Sequence, residues 1–433
     1  MKYALETLGC AKNQVESELM TSALGACGFL YTENAGEADV IIVNSCGFIE
    51  SAKRQSINAV LELRKEHPDK KIILAGCLAA RYAKELRESL SEADGVFESL
   101  NASEIGPWLC DILGIEKNDF PSERLPPGER RLLSPAGSAY VRISDGCSNR
   151  CSFCAIPLIR GGLRSRPIED VSAECRALIG RGVKELCLIA QDSASFGLDL
   201  YGERRLADLL RAILEIEGDF WVRILYLHPD HFPYSLIPVM RQDARAVPYF
   251  DLPFQHASQK MLRAMNRKGG AKEYLDLINI LRNELDAVIR STFLLGFPGE
   301  SEADFEELLD FQLKARLDWM GSFTYSREEG SPSFALKNRP GKKTALERKQ
   351  RVDEAQSPIT HNRLARLTGS VQQVIVEEET DAENGLYIGR PRCAAPEVDG
   401  CAVIYSPKPL KNGTFAKGLT TAAAGFDLQI RVS

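Results

Sequence analysis

Apolar positions along the first hundred residues switch repeatedly between the near-continuous runs of buried strands and the three-to-four-residue period of helices. "KYALETLG" reads as a strand, "NQVESELMTSALGACG" as an amphipathic helix, "DVIIVNS" as a buried strand and "ESAKRQSINAVLELRKE" as a helix. "KIILAGC" is again a strand and "RYAKELRESL" a helix, with "GVFES" and "EIGPWLCDILG" as a weaker last pair. A βα repeat of this kind predicts a parallel sheet with helices on both faces. Residues 116–137, dense in proline and charge, predict a linker. A second βα series follows, with strands at "AYVRIS", "ELCLIAQD", "WVRILYL", "PYFDLPF", "VIRSTFLLGF" and "WMGSFTYS" and helical patterns between them. Six such units predict a partial (β/α)6 barrel whose active groups sit on the loops after the strands.

From about 341 to 367 the pattern is charged helix in two pieces, "TALERKQRVDEAQ" and "ITHNRLARLTG". After Gly369 it changes to short strands, "SVQQVIVEEE", "GLYIGR", "CAVIYS" and "FDLQIRVS", which predict a small all-β barrel. The reading is an α/β multidomain chain divided at 1–115, 116–137, 138–367 and 368–433.

Composition narrows the compartment and the partners. In 433 residues, 44% hydrophobic and 26% charged, no apolar run approaches a membrane span, and the start lacks a basic, apolar leader. A cytoplasmic protein is expected. In a reducing compartment twelve cysteines are metal ligands or small buried hydrophobes rather than disulfides. A net charge of -6 argues against nucleic acid as the main partner.

The cysteines fall into groups. Cys147, Cys151 and Cys154 lie within eight residues, in "DGCSNRCSFCAIP", with no fourth Cys or His nearby. Closed zinc sites and fully ligated iron–sulfur clusters take four protein donors, so three leave one metal position for water, substrate or cofactor. Cys10, Cys46 and Cys77 each fall within two residues of the end of a predicted strand, in "TLGCAKN", "VNSCGFI" and "LAGCLAA". In a parallel sheet those ends share one edge, where such folds bind ligands. On spacing alone they are equally ligands of one centre or three unrelated core cysteines. Cys27, Cys110, Cys175 and Cys187 sit in apolar patterns and read as core, whereas Cys393 and Cys401 have no partner at ligand spacing.

The three pieces together resemble the methylthiotransferases, a branch of the radical S-adenosylmethionine enzymes. "TLGCAKNQVESE", "VNSCGFIE" and "LAGCLAARY" resemble the three cysteine segments of the amino-terminal methylthiotransferase domain. "DGCSNRCSFCAIPLIRGGLRSRP" resembles the radical-enzyme loop, "LYLHP", "DLPFQHAS" and "GFPGESEADFEEL" are further landmarks, and the last segment resembles a TRAM domain. Within the family "YIGRPRCAAPEVDG" is most similar to the RimO-type branch. That branch modifies a basic small-subunit ribosomal protein near the decoding centre, on the β carbon of an aspartate.

The resemblance implies two four-iron four-sulfur clusters, one on Cys147, Cys151 and Cys154 and one on Cys10, Cys46 and Cys77, each with an open iron. The first would bind S-adenosylmethionine, which serves as radical source and methyl donor; the second would carry the sulfur to be methylated and transferred. An electron donor is implied as a further partner. Phe153 is expected to pack on the adenine, with Gln191, Arg223 and Gly296 of the "GFPGE" turn lining the cofactor pocket; that turn reads equally as a plain helix start. His256 reads foremost as a hydrogen-bonded loop histidine and Asp192 as a helix cap. The alternatives are a transfer-RNA adenosine methylthiotransferase and a non-catalytic iron–sulfur protein. From Gly369 onward six basic residues face eight acidic ones, a net charge of -2 that favours a basic protein over a phosphate backbone.

Overall fold

The first βα series forms a parallel sheet in the order β2-β1-β3-β4-β5, from β1 (Lys2–Thr7), β2 (Leu30–Tyr31), β3 (Val40–Ser45), β4 (Lys71–Ala75) and β5 (Gly95–Val96). Every residue of β3 is buried, as a central strand covered on both faces requires. The register aligns Thr7 with Asn44 and Asn44 with Ala75, so β1, β3 and β4 end side by side. The structure, a computed structural model, describes residues 1–115 and 130–432. Most of the expected linker, residues 116–129, lies outside the described residues.

The second series gives β6 (Ser138–Arg142), then the short antiparallel pair β7 (Ser144–Asp145) and β8 (Arg164–Ser165), then β9 (Glu185–Ile189), β10 (Trp221–Ile224), β11 (Ala246–Asp251), β12 (Val288–Leu295) and β13 (Trp319–Thr324). Six of these form an open sheet in the order β13-β12-β11-β10-β9-β6, parallel at every pairing. Helices such as Ile168–Gly180, Leu206–Leu214, Ala271–Leu285 and Glu302–Ala315 cover one face and share with it the largest apolar core. Cys175 lies in that core, and Cys110 in the core of the first sheet.

The chain then runs through one helix, Lys342–Ala365, rather than two. Pro358 removes a backbone donor, yet side chains on either side of it are anchored: Gln356 donates to Leu317 O and Thr360 to Asp318 O. The last segment closes into a barrel of β14 (Val371–Asp381), β15 (Leu386–Pro391), β16 (Ala402–Tyr405), β17 (Phe415–Ala424) and β18 (Asp427–Arg431). β17, rich in small residues, has no strong alternation, and only the structure reveals it. Among the described residues no helix is long and apolar enough to cross a membrane.

This barrel packs against the other face of the six-stranded sheet, where Tyr140, Trp221, Tyr249 and Trp319 share a cluster with Val374, Ile375 and Ala395. A buried ionic knot joins the two bodies. Glu185 accepts from Arg223 Nε at 2.8 Å and pairs with Arg390, while Arg223 also donates to Arg392 O at 3.0 Å. Burial alone would raise the Glu185 pKa, but Arg390 and Arg223 overcome it and hold the carboxyl low. Glu185→Ala takes from Arg223 its carboxylate partner and leaves Arg390 only Glu377, and it is expected to destabilise the protein by about 3–5 kcal/mol. Urea unfolding checks this, with a lower midpoint and faster proteolysis of the terminal barrel expected.

Candidate iron–sulfur and cofactor site

Cys10 is the residue before helix Ala11–Ala26, Cys46 follows β3 directly and Cys77 lies in helix Gly76–Arg81 straight after β4. A glycine neighbours each of the three. Gly9 has φ +108°, and a Cβ there would stand 3.0 Å from the Cys46 Cβ and 3.3 Å from its Sγ. A Cβ on Gly47 would meet the backbone of Cys77 and Leu78 at 2.7–2.9 Å. Bare backbone at these positions thus lets three strand ends approach one another. Asn13 lies between two of the thiols, its Oδ1 3.8 Å from Cys10 Sγ and 3.7 Å from Cys77 Sγ. Its amide group donates to Leu8 O and Ser45 O, each at 3.0 Å, which fixes it across the sheet edge.

The loop holding Cys147, Cys151 and Cys154 is tied at its base by β7 and β8 and followed by helix Ile156–Arg160. That helix turns it toward the first triad: Ala155 and Ile159 pack with Cys77 and Phe48. Arg160 donates to Cys77 Sγ at 2.9 Å and to Glu16 Oε1 and Oε2 at 2.5 and 3.0 Å. Arg142 adds a 3.4 Å contact to Glu16. On the far side Arg81 and Lys53, from the first body, share the buried Glu328 carboxylate at 2.7 and 3.0 Å. The two domains that carry the triads are joined by charged pairs that water scarcely reaches.

Each triad offers thiols as its ligand set. Burial pushes the Cys77 thiol up to about 12, against the pull of Arg160, and lifts Cys46 as well. Burial likewise raises Cys147 to about 11 and Cys154 to about 12. Thiolates in such surroundings need a cation to compensate them, which iron bound by these cysteines would supply. Among the described residues no three Cys, His, Asp or Glu side chains are disposed to hold a single metal ion. Three thiols at one sheet edge and three in one loop are the donor type that iron–sulfur clusters take.

Two histidines that the sequence did not single out stand beside the second triad. His228 Nε2 lies 3.9 Å from Cys151 Sγ, and its ring stacks on His231 with centroids 4.5 Å apart. Asp192 organises both. It accepts from His231 Nε2 at 2.7 Å, Ser195 Oγ at 2.6 Å, His228 N at 3.2 Å and Asn149 Nδ2, from the cysteine loop, at 2.8 Å. It also caps the turn Ser193–Ser195, so the cap reading and a place at the site both hold. Burial would raise its pKa, but the bond from His231 and the neighbouring histidines hold it well below the usual carboxylate range. Burial, with help from Arg267, lowers His228 to about 3, so the ring beside Cys151 is neutral. "LYLHP" carried the signal for His228, since a histidine at a strand end in a barrel faces the site.

The other expected site residues divide. Phe153 packs with Met261, Met265, Leu294, Phe297 and Tyr325, which brings it to the "GFPGE" turn. Gly296, at φ +75°, lets that turn pass helix Lys342–Ala365, since a Cβ would stand 2.6 Å from Ala345 Cβ; its N–H donates to Glu300 at 2.8 Å. Gln191 is half-buried beside Asp192. Arg223 is a correction: its guanidinium is committed to the knot with Glu185 and Arg392, against the terminal barrel, and is not free to line a cofactor pocket. His256 is fully buried and accepts at Nδ1 from Ala257 N and Ser258 N, each at 3.0 Å, as a loop-organising residue does.

Three family models match in chain order. The one described as uncharacterized protein family UPF0004 covers residues 2–98, the radical SAM superfamily residues 141–311 and the TRAM domain residues 368–432. "Ribosomal protein uS12 methylthiotransferase RimO" of Treponema denticola is 43% identical over 97% of this chain and 98% of its own. The protein of the same description from Desulforamulus reducens is 42% identical over 98% of each. The chain belongs to the RimO methylthiotransferase family. The fold of the chain is also similar to that of the radical S-adenosylmethionine methyltransferase TsrM of Kitasatospora setae, with a TM-score of 0.55 over 86% of this chain and 80% of that one, at 13% identity.

Burial holds His256 down to about 3, so the folded chain binds no proton there between that value and the ordinary 6.5, while the unfolded chain does. Its contribution to stability is complete above pH 6.5 and falls as the pH drops toward 3, by up to about 1.4 kcal/mol per unit. Thermal melts from pH 7 to 5 check this: His256→Asn, which keeps an acceptor but cannot titrate, is expected to lose less stability on acidification than the parent.

Proposed function

We propose that this chain transfers a methylthio group to the β carbon of an aspartate in ribosomal protein uS12, using S-adenosylmethionine as radical source and methyl donor. The observation that supports the reading is Arg160, from the helix that follows the Cys147, Cys151 and Cys154 loop, donating to Cys77 Sγ and to Glu16 of the first sheet domain. Clusters bound there would supply one-electron cleavage of the sulfonium at Cys147, Cys151 and Cys154, and a seat for the transferred sulfur at Cys10, Cys46 and Cys77. An unactivated C–H bond is far too weak an acid for a side-chain base, hence the need for radical chemistry.

The chain's own residues do the placing. Phe153 and the Gly296 turn provide an apolar wall beside the second triad for the adenine. Asp192, through Asn149, fixes the cysteine loop against β9, and His228 brings a neutral ring to Cys151. Ala155, Ile159 and Phe48 keep water from the space beside Cys77. The terminal barrel contributes an acidic face along β14 and its turn, where Glu378, Glu379 and Glu383 are exposed, suited to a basic ribosomal protein. A transfer-RNA substrate would be repelled there. A cytoplasmic location and an external electron donor belong to the same reading.

Anaerobic reconstitution, incubation with uS12 and mass spectrometry test it: the expected product is heavier by one sulfur and one CH2 group. Unmodified uS12 beside thiomethylated transfer RNA would contradict it. Cys147→Ala is expected to abolish cleavage of S-adenosylmethionine, whereas Cys46→Ala retains cleavage and loses sulfur transfer. Iron content, measured on each variant, is expected to fall by about half, as one of two centres is lost.

A further inference from the structure

We infer that Lys12 is the residue that recognises the substrate's carboxylate, and so selects an acidic side chain over a nucleobase at this site. The inference rests on the functional reading above. Lys12 occupies the second position of helix Ala11–Ala26 and is only 7% exposed. Its ammonium reaches out of the first body into the second, with Nζ 3.4 Å from Ala190 O, just past the end of β9, and 3.4 Å from the centroid of the Tyr226 ring. Ala190 adjoins Gln191 and Asp192, and Asp192 holds the loop of the second triad through Asn149. Lys12 is thus placed between the two cysteine sites.

What surrounds it leaves the charge without an ionic partner. Among the described residues no carboxylate lies within ion-pair distance of Nζ, although the same helix carries Glu16 and Glu18, each in a short pair with arginine. An ammonium has three donors, and here one long contact to a carbonyl and one ring face occupy it. A buried charge so poorly compensated is costly unless something else completes it. Asp251, at the end of β11 in the second sheet, is engaged instead with Arg290 at 3.2 Å and with Tyr226 N at 3.3 Å.

Tyr226 holds φ +62°, a conformation rare for a ring-bearing residue, and its ring lies under the ammonium. Strain of that kind at a strand end, spent on fixing one cation, marks a site built to receive an anion. An aspartate carboxylate would supply the missing ion pair while its β carbon lies between the two triads. An adenine offers acceptors but no charge, and would leave Lys12 unpaired.

The test compares binding of uS12 with that of uS12 whose target aspartate is changed to asparagine, by the reconstituted enzyme and by its Lys12→Met, Lys12→Gln and Lys12→Arg variants, with iron measured on each. The parent is expected to bind the aspartate form about tenfold or more tightly than the asparagine form. Lys12→Met and Lys12→Gln, with iron intact, are expected to bring that ratio near one, and Lys12→Arg to restore part of it. An unchanged ratio in Lys12→Met overturns the inference. Loss of iron in both neutral variants also overturns it, by making Lys12 a counter-charge for the thiolates. A parent enzyme that neither binds nor modifies uS12 would instead refute the functional reading itself.

Discussion

The structure turns on one buried guanidinium. Arg160, 2% exposed, is held by both oxygens of Glu16 and donates to Cys77. It belongs to the helix that follows the second cysteine loop, while Glu16 and Cys77 belong to the first body. A charge so placed cannot stay without its partners, because removing either leaves the other unpaired in a medium that solvates it poorly. The relative position of the two thiol triads is therefore fixed by an electrostatic requirement and not by apolar contact alone. Helix Ala11–Ala26 carries the requirement in both directions. Asn13 and Ser17 bond to its own sheet, whereas Lys12, Glu16 and Glu18 reach into the neighbouring body.

A second constraint works from the opposite end. An open six-stranded sheet has a face that must be covered, and the terminal barrel covers it with a mixed apolar and ionic surface. Tyr249 donates to Asp399 at 2.5 Å and Arg290 lies 3.3 Å from the same carboxylate. Arg290 also pairs with Asp251, which bonds to the backbone of Tyr226 under Lys12. A continuous polar column thus runs from the barrel to the space between the triads. The barrel's placement is in this way coupled to the geometry of the site, although it contributes no thiol.

Much of this was legible in the sequence, because periodicity reports burial. The parallel order of the strands could be read from the βα alternation, and with it the meeting of Cys10, Cys46 and Cys77 at one edge. The glycine beside each of these cysteines was a further signal of close approach. Single polar residues were less legible. Arg223 was expected in the cofactor pocket, but the alternation of side chains along β10 does not tell which level of the sheet face a residue occupies, and the barrel claims that level. Lys12 and His228 each look like ordinary polar residues in one dimension. Their environments are made by elements far away in the chain, Ala190 and Tyr226 for one and Cys151 for the other. Pro358 suggested a helix break that the anchored side chains of Gln356 and Thr360 override.

The central proposal is that each of the two thiol triads, on bodies joined by Arg160, holds a cluster of its own. Electron paramagnetic resonance of the anaerobically reconstituted, fully reduced protein tests it most directly. About eight irons per chain in two four-iron centres are expected, with signals split by mutual spin coupling. Four irons per chain with one unsplit signal, or two signals without coupling, would contradict it.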